Sequence, residues 1–264
     1  MKAVSLASGS GGNAYIVESR GRLLLIDCGI SHRELNKRLD SLGLEICAIC
    51  GVLVTHEHTD HVKGLEVFHK RHPLVPFYAN LMTAEAVESL CNSLDGAFCA
   101  FENGMPFDVG PFEVAAFSIP HDVCDPVGYT VKADGATYFH ATDIGSPLDS
   151  IGVKLASADF ATLESNHDVV MLNASERPES LKARIRGPRG HLCNEDAASL
   201  VRRFASPRLR HISLAHLSSE CNAPHLAEKI MRSALAEINR PDITLETLSQ
   251  DTPGKIWNCS SVEL

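Results

Sequence analysis

Short apolar runs, broken by glycine and polar clusters, open the chain. They predict strands at Ala3–Leu6, Ala14–Glu18 and Leu23–Asp27, with "GSGGN" (Gly9–Asn13) as the tight turn between the first two. The apolar period then lengthens, which predicts a helix over Ser31–Leu42 with Ser31 as N-cap and Gly43 at its end. A strand follows at Gly51–Thr55, then a helix near Leu65–His72, a strand at Phe77–Ala79 behind Pro73 and Pro76, and a helix at Thr83–Leu90. Strands return at Phe107–Val109, Glu113–Ser118, Gly128–Ala133 and Ala136–Ala141, the last two joined through the D-G turn of "ADGA". From there strands and helices alternate: strand Phe160–Glu164, helices Pro178–Ile185 and Glu195–Phe204, strand His211–Ala215, helix Ala223–Ile238 and strand Thr244–Leu248. No repeat or linker interrupts this pattern. It predicts an α/β (α+β) fold of four layers, αββα, forming a single domain over residues 1–264.

Composition narrows the picture only a little. A hydrophobic fraction of 44% and a charged fraction of 22% are ordinary for a globular protein. The formal net charge of −9 offers no overall attraction to nucleic acid or acidic membrane. A cluster of metal ions can still reverse the sign of one cleft. The chain holds no run of 18 or more apolar residues, and its first residues lack the apolar core of a signal peptide, so a cytoplasmic protein is expected. Nine cysteines, an odd and scattered set, argue against a secreted disulfide framework. Cys47 and Cys50 form one C-x-x-C, either a redox or metal motif or two small hydrophobes leading into a strand.

Candidate chemistry concentrates in "LVTHEHTDH". His56, His58, Asp60 and His61 fall within six positions, directly after a strand-like run. His56 and His58 share one side of an extended segment. Asp60 and His61 come after the turn and can serve a second point nearby, which suits two metal ions better than one.

"THEHTDH" resembles the H-x-H-x-D-H signature of the metallo-β-lactamase superfamily. That resemblance implies the sandwich fold named for the superfamily, with further ligands at later strand ends: His121 in "SIPHDVCDPVGYTV", Asp143 in "YFHATDIG" and His216 in "ISLAHLSSECN". It implies that His56, His58 and His121 hold one ion, that Asp60, His61 and His216 hold the second, and that Asp143 bridges them. Asp27 in "LLLIDCG" is implied to buttress the first metal loop. Imidazole and carboxylate ligands suit two divalent ions, Zn²⁺, Mn²⁺ or Fe²⁺. Such ions would lower the pKa of a shared water and polarise the bond under attack, with Asp60 at the reaction centre.

Later blocks select a branch. "HDVCDPVGYT", with Tyr129, resembles an element of the tRNA 3′-processing endonucleases, and "RGHLCNEDAA" stands where those enzymes carry a histidine near the scissile phosphate. His191 is thus a candidate proton donor, or an ordinary polar loop residue. Asn194 reads as a helix cap beside free backbone N–H groups that can meet a phosphate. Together "LASGSGGNAYIVE", "THEHTDHVKGL", "PHDVCDPVGY", "LESNHDVVML", "RGHLCNEDAA" and "AHLSSECN" resemble the YycJ/WalJ family, from Leu6 to about Asn222. Cys193 stands where that family's pattern leads one to expect Ser. The resemblance implies a phosphodiester hydrolase with 5′→3′ exonuclease activity on DNA, and a link to cell-wall signalling.

His167 in "LESNHD" is read as a catalytic or ligand-orienting residue, against a structural turn. The "GSGGN" turn, with Ser8 and Asn13, either lets a phosphate approach the backbone or simply turns a hairpin. Lys182, Arg184, Arg186 and Arg189, with Arg202, Arg203, Arg208 and Arg210, form the most basic stretch, read as a phosphate-tracking patch or a solvated helix face. At 6% aromatic residues no stacking platform for single strands is evident. DNA is the expected substrate. The rival readings are a hydrolase of a small phosphodiester, thioester or lactone, and a non-catalytic metal-bearing partner in signalling.

Overall fold

The computed structural model describes residues 1–259. β1 (Lys2–Ala7), β2 (Ala14–Ser19) and β3 (Arg22–Ile26) form an antiparallel meander. Leu24, Leu25 and Ile26 are fully buried, so β3 has no solvent face and reads as a continuous apolar run. The chain then crosses through α1 (His32–Ser41) to β4 (Ile49–Leu53), which pairs parallel with β3. α2 (Thr59–Val62), α3 (Leu65–Arg71), β5 (Phe77–Asn80), α4 (Leu81–Leu90) and β6 (Phe98–Phe101) continue the parallel run, and β7 (Phe107–Val109), β8 (Phe112–Ser118) and β9 (Val127–Ala133) are antiparallel.

β10 (Ala136–Ala141), α5 (Asp149–Leu155), β11 (Phe160–Glu164), α6 (Val169–Ala174), α7 (Glu179–Arg186), α8 (Asn194–Phe204), β12 (His211–Ala215), α9 (Pro224–Glu237) and β13 (Thr244–Thr247) follow. β10 to β13 are parallel throughout. β14 (Trp257–Asn258) returns to pair with β1. Two seven-stranded sheets result, ordered β14-β1-β2-β3-β4-β5-β6 and β13-β12-β11-β10-β9-β8-β7, with helices flanking the sheets. The chain divides into two compact units. One holds Met1–Ser118, Val123–Ala136 and the chain from Ser249, and the other holds Ile119–Asp122 and Thr137–Leu248.

In the first unit α1 sets Leu35 and Leu39, four apart, into a core with Leu25, Val52, Phe68 and Phe77. Ser31 caps this helix, its hydroxyl accepting from the Glu34 N–H at 3.2 Å. The D-G turn between β9 and β10 puts Asp134 at φ 50° and Gly135 at φ 75°, as a two-residue type I′ turn requires.

The sequence pattern missed α2, α5, α6, β6 and β14, all seven residues or shorter. A single turn of helix has no repeating period to detect. Its sign is a local cap instead, as where the Asp168 carboxylate accepts from Met171 N at 2.8 Å to start α6. α8 begins one residue earlier than expected, with Cys193 and not Asn194 as its N-cap.

Candidate metal centre

The candidate residues cluster where parallel strands end. β3 runs into Asp27, β4 runs through Val54 and Thr55 into His56, β10 runs into Asp143, and β12 runs into His216. Asp27, Asp143 and His216 have φ of 58°, 60° and 55°. Left-handed backbone at a non-glycine residue costs of order 1 kcal/mol or more and persists where the surroundings impose it. Here it turns each side chain away from the sheet direction at the strand terminus.

In the first unit, His61 and Thr55 are tied to a buried carboxylate. Asp27 is fully buried, and its Oδ2 accepts from His61 Nδ1 at 2.7 Å. Its Oδ1 accepts from Thr55 N at 2.9 Å, and the Thr55 hydroxyl lies 2.9 Å from Oδ2. The Nδ1 proton of His61 is thereby committed, which leaves the lone pair on Nε2, 3.4 Å from Asp60 Oδ2. His56 Nε2 and His58 Nδ1 converge to 3.2 Å. Imidazole nitrogens and a carboxylate oxygen gathered this closely form a donor set that fits a divalent cation.

The "GSGGN" turn supports this loop. Asn13 N–H donates to the Asp60 carbonyl at 2.7 Å, and its side-chain amide donates to Asp60 Oδ2 at 3.0 Å and lies 3.1 Å from His61 Nε2. Gly29 packs beneath, where a Cβ would sit 1.6 Å from the Asp60 carbonyl oxygen. Only glycine allows that approach.

In the second unit the central group is Glu164, the last residue of β11 and fully buried. Its Oε1 accepts from His191 Nδ1 at 2.8 Å and from His216 Nδ1 at 3.1 Å. Its Oε2 accepts from Ile144 N at 2.7 Å and Leu192 N at 3.0 Å. Burial by itself raises a carboxyl pKa, but the charge and hydrogen bond of His191, with the bond from His216, outweigh it and hold Glu164 down at about 2. In turn His191, though burial opposes its charged form, is raised above the usual imidazole value by the Glu164 charge and hydrogen bond.

Asp143 Oδ1 lies 3.3 Å from His216 Nδ1, 3.6 Å from His191 Nδ1 and 3.8 Å from His121 Nε2. Asp143, Glu164, His191 and His216 each offer a ligand atom within 4.8 Å of the others. His121 Nδ1 donates to Gly190 O at 3.0 Å. His61, His121 and His216 thus share one arrangement, with Nδ1 anchored on a buried acceptor and Nε2 carrying the lone pair. Histidines that bind metals are held in this way.

Glu164 was not singled out from the sequence, and neither were Asn166 and Asn222, which brace the loops around it. Asn166 donates to His216 O at 2.8 Å, Asn222 donates to Ser165 O and Asn166 O, and Ser165 donates to Asn194 Oδ1 at 2.6 Å. The signal available was "LESN", a strand run ending in a carboxylate. Its partners become visible only in the fold.

The four residues expected to touch substrate are 2% exposed or less and serve as supports. Tyr129 donates its hydroxyl to Val54 O at 2.6 Å, Ser8 accepts from the Tyr15 hydroxyl at 2.9 Å, and Asn13 braces Asp60. Asn194 is bonded to Ser165 and to Asn222, so its amide is not offered to a phosphate. Tyr129→Phe is expected to lower stability by about 1–3 kcal/mol, since it strands the buried Val54 carbonyl, and to leave the KM for substrate unchanged. Urea denaturation beside steady-state kinetics checks both.

His167 is 2% exposed with no hydrogen-bond partner on Nδ1, and burial holds it below the usual imidazole value. Cys193 Sγ accepts from Asp196 N at 3.4 Å. A hydroxyl oxygen is the stronger acceptor, so Cys193→Ser is expected to raise stability by roughly 0.5–1 kcal/mol, read as a higher Tm.

Five arginines of the basic run in the second unit are paired with carboxylates, while Arg210 is exposed. Arg184, Arg186, Arg202, Arg203 and Arg208 pair with Asp122, Glu179, Glu237, Asp149 and Asp159. Lys182 is buried and donates to Asn173 O at 2.8 Å. Cys47 and Cys50 are free thiols, with Cys47 Sγ bonded to Glu45 and Cys50 Sγ to Leu23 O, and neither joins a metal-ligating group among the described residues.

The sequence profile of the family described as "Beta-lactamase superfamily domain" matches residues 22–212. The chain is 37% identical over 234 residues to Exodeoxyribonuclease YycJ of Bacillus anthracis, covering 88% of each chain. It is 33% identical over 235 residues to Exodeoxyribonuclease WalJ of Streptococcus pneumoniae serotype 2, covering 88% of this chain and 87% of that one. The crystal structure of the metallo-beta-lactamase fold protein YhfI from Bacillus subtilis superimposes with a TM-score of 0.70 at 16% identity, over 97% of this chain and 98% of that one. That likeness shows the fold.

Proposed function

We propose, from the premise that the chain belongs to the beta-lactamase superfamily and is a metallo-hydrolase, that it hydrolyses phosphodiester bonds of double-stranded DNA from the 5′ end. The observation that carries this reading is the Glu164–His191 pair. A buried carboxylate holds an imidazole beside Asp143, at a position suited to giving a proton to a leaving oxygen. The two exodeoxyribonuclease relatives support the choice of DNA.

In this reading His56, His58 and His121 would hold one divalent ion and Asp60, His61 and His216 a second, with Asp143 as a further ligand. The donor set of nitrogen and carboxylate oxygen suits Zn²⁺, Mn²⁺ or Fe²⁺. Divalent ions bound there would lower the pKa of water and offset charge that develops on the phosphoryl group.

The chain's own residues do the rest. Asp27 and the Gly190 carbonyl fix the ligand tautomers of His61 and His121, and Glu164 does the same for His216. Asn13 steadies the Asp60 carboxylate, which orients the attacking water. Glu164 favours the charged form of His191 and holds its Nδ1, which leaves the imidazole to give a proton to the 3′ oxygen that departs. His167, whose charged form burial disfavours, orients the groups around it.

A soluble assay tests the reading. Nucleotide release from 5′-labelled linear duplex DNA is expected in the presence of Mn²⁺ and lost on chelation. A holoprotein that leaves DNA intact yet cleaves a small chromogenic phosphodiester would move the substrate to the small-molecule class. All nine cysteines are free, which fits a reducing compartment, and we place the activity in the cytoplasm with the DNA. No helix among the described residues is long and apolar enough to cross a membrane.

A further inference from the structure

The exposed cations of the first unit are not scattered evenly. A cavity of about 650 Å³ is lined by Ser31, His32, Arg33, Lys63, Gly64 and Arg71, among others. Arg33, Lys63 and Arg71 are exposed, and none forms an ion pair among the described residues. In a chain of net charge −9, in which five arginines of the second unit are paired with carboxylates, this concentration is distinctive. Glu34, on the same helix as Arg33, is already engaged by Arg38 at 2.7 Å and by Lys37 at 3.7 Å, and Glu66 of α3 accepts from the Ser93 hydroxyl at 3.1 Å. The N-terminus of the ten-residue helix α1 adds its partial positive charge at Ser31.

The local potential registers on two neighbours. His32 and His72 stack with ring centroids 5.2 Å apart, and their Nε2 atoms lie 2.9 Å apart. Both are lowered from the usual imidazole value, first by burial and then by the charge of Arg71.

The cavity walls are also continuous with the metal-loop segments. Ser31, His32 and Arg33 follow Asp27 on one segment, and Lys63 and Gly64 follow His61 on the other. Cys28 N donates to His61 O at 2.8 Å, and Gly64 N donates to Cys28 O at 2.8 Å, so the two segments are bolted together. A Cβ at Gly64 would lie 2.2 Å from Ile30 O, so the join tolerates no side chain there.

We propose that this Arg33–Lys63–Arg71 concavity is a docking surface for the phosphate backbone of duplex DNA, engaging phosphates other than the one being cut. This rests on the reading of the protein as a DNA phosphodiesterase. Three cations on a cleft match a run of phosphates along a strand, and neutralising them releases counterions. The surface holds the duplex by its backbone and carries no base recognition.

The test compares the metal-loaded wild type with the triple variant Arg33→Gln/Lys63→Gln/Arg71→Gln and with Arg202→Gln/Arg203→Gln as a control for net charge. All five positions lie on the surface or in partly exposed ion pairs, and circular dichroism verifies folding. Binding of a fluorescein-labelled phosphorothioate duplex is followed by anisotropy across a salt series. The triple variant is expected to bind roughly tenfold or more weakly, with a log–log salt slope shallower by about 2–3 units. Its turnover of a small chromogenic phosphodiester is expected to match wild type, and the control is expected to bind as wild type does.

Unchanged duplex binding and salt slope in the triple variant would overturn the surface while leaving the nuclease reading intact. Equal weakening in the control would overturn it too, by showing an effect of net charge alone. Displacement of the duplex by millimolar inorganic phosphate at constant ionic strength would replace it with an isolated phosphate site. A wild type that binds the duplex but never cuts unmodified DNA would sink the nuclease reading, and the variant's binding would still decide the surface. A wild type that does not bind duplex at all overturns the surface directly.

Discussion

Asp60→Asn is expected to reduce nucleotide release from linear duplex DNA by about three orders of magnitude or more, because in the proposed function it removes both a ligand charge and the group that would orient the attacking water. The change conserves shape. Asn13 N–H still meets the residue 60 carbonyl, and the backbone bond from Cys28 to His61 is untouched, so the loop keeps its path. Stability of the apoprotein should therefore barely move, whereas metal content measured by atomic emission should fall from two ions per chain towards one. Undiminished digestion by this variant would remove Asp60 from the reaction, and loss of the fold would show that its role is structural.

Glu164→Gln has the larger consequence for the protein as a whole. Four donors converge on this carboxylate: His191 Nδ1, His216 Nδ1, Ile144 N and Leu192 N. An amide has one acceptor oxygen and must turn an N–H towards at least one of those donors. Breaking a buried charged network of this kind costs about 3–5 kcal/mol. In a chain of this size each kcal/mol moves Tm by about 2–4 °C, so a drop of order 10 °C is expected. Turnover should fall as well, by roughly 10²–10⁴-fold, since His191 loses the charge that keeps it protonated and in place. Calorimetry and kcat measured together separate the two effects: His191→Gln should lose turnover while retaining most of the stability. If Glu164→Gln melted as wild type does, the central place given to this carboxylate would be wrong.

These two residues also mark the divide between what sequence and structure each reveal. Asp60 was legible because it sits in a dense local motif. Four ligand-capable side chains in six positions after a strand have no structural explanation as a solvated loop, and a motif within one segment needs no tertiary information. Glu164 was not, since it is a single carboxylate at a strand end. What defines it is four donors from β10's exit, from the His191 segment and from His216, which lie 20 to 52 residues away. Tyr129 and Asn194 illustrate the opposite case. Each carries a polar group in a motif-rich stretch, but burial commits the hydroxyl to Val54 O and the amide to Ser165 and Asn222.

The chain's amino-acid order alone determined the strand and helix succession wherever the apolar period persisted for more than about two turns or four alternating residues. It also determined the Ser31 cap, the D-G turn and the candidate ligands of the "THEHTDH" segment, because each depends on neighbours a few positions apart. Only the tertiary structure decided which charges stay available. Arg184, Arg186, Arg202, Arg203 and Arg208 look like a phosphate track in sequence, yet in the fold each meets a carboxylate. Arg33, Lys63 and Arg71 are unremarkable as a sequence pattern, 38 residues from first to last, and the fold of one unit brings them to a single cavity. Charge is a property of a residue type, but potential depends on distance and burial. Those two quantities are set when segments far apart in the chain pack together.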